Sequence, residues 1–146
     1  NNYQPLKWTL GLYMLSIKVN YIWSEYINVI TEFAPINLYK EKHGKFPSSK
    51  IKISLWDNIV AHLFGSLIFA IKVRKVGLCT FKFCANGFER KSNLRNKFIP
   101  WDKVLHIHQL TDAYLMELEQ GFIPLPYRCF ENHHTEFKNL ISNNFF

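Results

Sequence analysis

Apolar and polar residues alternate most regularly between residues 98 and 130, FIPWDKVLHIHQLTDAYLMELEQGFIPLPYRCF, and the alternation breaks only at short polar interruptions. A period of two marks strands that turn one face toward a core. The pattern predicts a strand over 98–110, a turn at Thr111-Asp112, a second strand over 113–119 and a further turn at Gln120-Gly121. Along KVLHIHQL it places Val104, His106, His108 and Leu110 on one face, with Lys103, Leu105, Ile107 and Gln109 on the other. Pro124 and Pro126 lack the N–H that a central strand must donate, so FIPLPY reads as an edge or departing strand. Upstream, VGLCTFKFCANGFERKS holds two strand-like runs around Asn86-Gly87, a dipeptide suited to the positive φ of a tight hairpin. The closing stretch ENHHTEFKNLISNNFF has acids near its start and Phe137, Leu140 and Ile141 at helical spacing, which predicts a helix packed on the sheet.

The first half carries a longer period. Residues 6–31 read as one amphipathic helix in which Gly11, Lys18, Glu25 and Glu32 recur every seven residues along one side. APINLYKEKHGKFPSS, residues 34–49, reads as a Pro- and Gly-marked connection across the surface. KIKISL, residues 50–55, alternates like a short strand, and Asp57 or Asn58 is placed to cap an apolar helix ending near Arg74. The architecture expected is α+β: N-terminal helices packed on a C-terminal antiparallel β-meander that a last helix closes. One domain, residues 1–146, is expected, with 1–75 mainly helical and 76–146 forming the sheet and its helix.

Composition supports a folded chain: of 146 residues 48% are hydrophobic and 16% aromatic, too much apolar material for a disordered segment. Trp8, Trp56 and Trp101 are expected as core anchors, since a large ring at the start of an element contributes much to burial. The cysteines, Cys79, Cys84 and Cys129, are odd in number and lack zinc-like doublets, which fits free thiols and a cytoplasmic location, with one internal disulfide still open. Residues 59–71 are apolar but too short to span a bilayer, which needs about 20 residues. Residues 8–30 are long enough but carry Lys18 and Glu25. No cleavable leader is evident around Lys7.

The formal charge of +7 is uneven, because residues 1–76 hold ten Lys/Arg against four acids and residues 77–146 hold eight against seven. The excess gathers in YKEKHGKFPSSKIK and KVRK, so Lys40, Lys42, Lys45, Lys50 and Lys52 are the candidate partner-binding residues. Such a surface fits an acidic protein first, then phospholipid headgroups at the inner face of a membrane. Nucleic acid is the weaker reading, since Tyr39 and Phe46 are the only rings among these lysines and no base-reading motif accompanies them.

Catalytic and metal chemistry have few candidates. His106 and His108, with His133, His134 or Cys129, could assemble a tetrahedral shell, yet no Asp or Glu stands at an obvious ligand spacing, and sheet decoration is the simpler reading. Cys129 with His133 or His134 is the one local thiol–imidazole pair. Cys79 and Cys84 would face opposite sides of one strand, and Glu117 with Glu119 reads as a solvated stripe. No phosphate-cradling glycine loop and no H-E-x-x-H occur. The expectation is a protein that is not an enzyme and needs no cofactor.

Residues 87–141 also resemble the C-terminal domain of YcxB-like bacterial proteins. The resemblance rests on the Gly87-Phe88 hairpin, Trp101 at a strand start, the aromatic strand from Ala113 to Leu118, and Pro126-Tyr127-Arg128-Cys129-Phe130 ahead of a short helix. Tyr127 stands where that pattern usually has lysine, and the apolar segments upstream are poorer spans than the two membrane helices that commonly precede it. The resemblance implies a pleckstrin-homology-like small barrel. Because some such proteins stand beside antibacterial toxins, it also implies an immunity-type protein that neutralises a toxin by occlusion. A membrane-associated domain is the alternative it carries.

Overall fold

The computed structural model describes residues 13–48, 77–119 and 121–145. The expected strand at 50–55, the helix at 57–74, Trp8, Trp56, Lys50 and Lys52 lie outside them.

The strand β1, Leu15–Val19, comes first and is followed by the helix α1, Trp23–His43. The single helix expected over 6–31 is therefore replaced, within the described residues, by a strand, a short corner and a helix. The local reason lies in LSIKV: Leu15, Ile17 and Val19 are buried while Ser16 and Lys18 are exposed, a period of two that only an extended chain can satisfy. The connection expected over 34–49 is in large part helix as well. Tyr26, Val29 and Phe33 are buried and Ile36 and Lys40 half-buried, so the inward stripe continues at intervals of three and four through Pro35, whose missing N–H costs the helix one bond. Gly44 ends it in the left-handed region at φ 69°, its N–H donating to the Lys40 carbonyl at 2.7 Å.

β2 (Cys79–Cys84), β3 (Gly87–Lys91) and β4 (Asn96–Pro100) follow, and with β1 they form an antiparallel sheet in the order β1-β2-β3-β4. Leu15 lies opposite Phe83 and Val19 opposite Cys79, so the N-terminal strand completes a sheet whose other members come from the far half of the chain. In the β2–β3 hairpin the turn residues are Ala85 and Asn86, and Gly87 is the first residue of β3, one position later than the dipeptide suggested. Glycine is needed there because a Cβ would stand 2.4 Å from the Ile99 carbonyl oxygen of β4.

The run 98–110 is two strands, not one. β4 ends at Pro100, a single 3-10 turn spans Trp101–Lys103, and β5 (Val104–Gln109) starts a second sheet. The indole of Trp101 sets the corner: it stacks on Phe83 with centroids 6.1 Å apart and donates from Nε1 to the Cys84 carbonyl at 3.0 Å. β5, β6 (Ala113–Leu118) and β7 (Gly121–Pro126) form an antiparallel meander in that order, with the turn at Thr111-Asp112 and the proline strand at an edge as expected. Among the described residues the two sheets do not close into a barrel.

β6 separates two apolar layers. Tyr114 and Met116 join the main core between the sheets with Phe81, Phe83, Phe88 and Trp101, whereas Ala113 and Leu115 pack against Val29 and Phe33 of α1. That is why AYLMEL is nearly continuous in apolar residues. The helix α2, His134–Phe145, buries Phe137, Leu140 and Ile141 in the main core, the three residues its spacing singled out. All three cysteines carry free thiols. Among the described residues no helix is long and apolar enough to cross a membrane.

Candidate functional site

A groove of about 900 Å³ runs between one flank of α1 and the side of β5 that faces away from β6. Consecutive residues from His106 to Asp112 form one wall, Asn28, Thr31, Glu32, Pro35 and Ile36 the other, and Phe46 and Pro47 close one end. At the opposite end Glu32 receives the backbone N–H of Thr111 at 2.9 Å and its hydroxyl at 3.1 Å, which ties the helix to the β5–β6 turn. Tyr127 steadies the same turn from below, its hydroxyl donating to the Leu110 carbonyl at 2.6 Å. Burial, with Tyr114, Glu32 and Asp112 nearby, pushes that phenol up to about 12, so it stays protonated and remains a donor at neutral pH.

His106 and His108 do share a side of the sheet, with ring centroids 4.4 Å apart. Val104 does not share it. A β-bulge between Val104 and His106 exposes Leu105 and sends Val104 into the main core with Ile107. Phe46 stacks on His106 at 5.0 Å and meets His108 edge-on at 5.1 Å, while Phe33 lies 4.7 Å from His108 on the helix side.

Glu117, read from the sequence as part of a wet stripe, is only 7% exposed. One carboxylate oxygen accepts from Lys40 Nζ at 2.7 Å and the other meets His108 Nε2 at 2.9 Å. Burial works to raise the Glu117 carboxyl, but the Lys40 and His108 hydrogen bonds outweigh it and hold it below its ordinary value. Burial also pulls His108 below its ordinary value, against the opposing effect of its hydrogen bond to Glu117. The consistent state at neutral pH is a carboxylate accepting from a lysine and from the Nε2–H of a neutral imidazole. The sequence did hold a signal for this. A hairpin turning at Thr111-Asp112 pairs His106 with Glu117 and His108 with Leu115, which brings Glu117 across from the histidines.

The structure thus divides the candidate lysines. Lys40 is a structural partner of Glu117, its Nζ also 4.6 Å from the Phe46 ring centroid. Lys42 and Lys45, close to Phe46 in sequence, are exposed and make no ion pair among the described residues. The thiol–imidazole candidate separates too: His133 pairs with Glu136, His134 lies against Tyr127 and Phe130, and Cys129 is half-buried with burial pushing its thiol up. Among the described residues no three His, Cys, Asp or Glu gather as metal ligands, and no hydroxyl or thiol hydrogen-bonds His106 or His108. What the site offers is an apolar trough with a polar end: Ile36 and Leu110 along it, Phe46 at one end, Glu32 and Asp112 at the other. No protein-family model matches the chain, and no curated protein matches it.

Proposed function

We propose that this chain is a non-enzymatic binding protein that docks another protein on the groove between α1 and β5, with Lys42 and Lys45 drawing in an acidic surface. One observation carries the reading: an open trough of about 900 Å³ with an apolar lining, one end closed by Phe46, whose chain neighbours Lys42 and Lys45 are exposed and make no ion pair among the described residues. Apolar and aromatic contacts in such a trough supply affinity, and exposed charges beside it speed encounter. The histidine, carboxylate and lysine beneath it hold one another and so stiffen the wall. On the strength of the sequence resemblance, the partner is a toxin and the mechanism is occlusion of its working surface.

The test is direct binding between the purified chain and the protein encoded beside it, followed by surface plasmon resonance across a range of salt. A stable complex is expected, with an association rate that falls as salt rises. Reversing both charges, Lys42→Glu with Lys45→Glu, should slow association by about tenfold or more. Absence of a complex, or one indifferent to the double reversal, defeats the reading.

A further inference from the structure

β5 is an edge strand. Among the described residues it pairs with β6 alone, and the groove lies along its other side. Its outward-facing groups can be assigned from the hydrogen bonds. Leu110 N–H donates to the Ala113 carbonyl at 2.9 Å, so Leu110 faces β6, and alternation turns His108 and His106 the same way. Ile107 and Gln109 must then direct their backbone N–H and C=O groups away from β6, into the groove. Thr111 continues that row, and its N–H is already taken by the carboxylate of Glu32. A helix carboxylate therefore satisfies one outward group, while at Ile107 and Gln109 no strand pairs with theirs among the described residues.

Building on the proposed function, we infer that the groove takes an extended acidic peptide segment of the partner, which adds to β5 as a fourth strand of the β5-β6-β7 sheet. Backbone groups of the segment pair with those of Ile107 and Gln109, and α1 covers one of its faces. Every second side chain points toward the helix, where Ile36 and Phe46 favour an apolar or aromatic residue. Charge sets the orientation. The acidic end of the segment lies beside Lys42 and Lys45, and its less acidic end beside Glu32 and Asp112. Strand addition also disposes of an exposed sheet edge, which otherwise invites uncontrolled pairing.

The probe is a displayed library of random short peptides, selected on the intact chain. Enrichment of acidic sequences with apolar residues at alternate positions is expected. In a synthesised binder, N-methylation should weaken affinity at every second residue only. Gln109→Pro deletes an outward N–H that β6 does not use, and proline is tolerated on strand edges; it should weaken binding about fivefold to tenfold. Gln109→Ala, which keeps the amide, should bind normally. Hydrogen exchange in the unmutated chain needs no variant: the binder should slow the Ile107 and Gln109 amides. No enrichment, no two-residue period in the methylation scan, or unchanged exchange at those amides overturns strand addition. A partner protein that is weakened by Lys42→Glu with Lys45→Glu but binds Gln109→Pro normally also overturns it, while leaving the broader binding reading intact.

Discussion

Glu117 joins three elements through one carboxylate, since Lys40 comes from α1, His108 from β5 and Glu117 itself from β6. Glu117→Ala strips buried His108 and half-buried Lys40 of their shared acceptor and should destabilise the protein by about 1–3 kcal/mol in urea titrations. His108 gives the same site a pH dependence. Its folded pKa lies below the ordinary 6.5, so on acidification the unfolded chain takes up a proton that the folded chain resists. Its contribution is complete above 6.5 and is lost as pH falls through the depressed folded value. Glu117, also lowered, adds a loss of the same sign below its ordinary 4.5. Melting temperatures measured between neutral and mildly acidic pH should therefore fall, and less steeply in His108→Gln. At this scale the sequence spoke clearly where one local rule acted alone. Trp101 is buried as anticipated, whereas the environment of Glu117 depends on register across a hairpin and on a helix residue 77 positions upstream in the chain.

Elements became legible to the extent that their patterns were local. The Thr111-Asp112 turn, β6, the proline-bearing edge strand β7 and the helix α2 each carry their signal within a dozen residues. β1 and α1 do not. Leu15–Val19 is short enough to be absorbed into a longer apolar run, and nothing near it announces that its partner is Cys79–Cys84. Pro35 argued for a break, but the packing of Phe33 and Ile36 against the second sheet overrides it. Pro35→Ala would restore a helical N–H and is expected to stabilise α1 by about 1–3 kcal/mol, read as a higher melting temperature. Glu32→Ala releases the helix from the β5–β6 turn. Faster hydrogen exchange should appear at the Thr111 amide and in the first half of α1, with a cost to global stability of about 1–2 kcal/mol.

On the scale of the whole molecule the layers run from α1, through the three-stranded sheet, to the main core and the four-stranded sheet, with α2 contributing Phe137, Leu140 and Ile141 to that core. Phe137 touches the rings of Phe83, Tyr114 and Phe130, so it binds both sheets and the 3-10 turn Tyr127–Phe130 together. Phe137→Ala should cost about 3–5 kcal/mol and melt both sheets in one transition. The α+β class followed from the sequence, and the four-stranded sheet draws one of its strands, β1, from the mainly helical first half. That strand has a consequence for biogenesis. During synthesis Leu15–Val19 leaves the ribosome well before Cys79–Cys84 has been translated, so it must wait, apolar and without its β2 partner, until Cys79–Cys84 has been made. Nascent chains halted before β2 should accordingly be protease-sensitive at β1 and depend on a chaperone for solubility, a dependence that ends once β2 emerges.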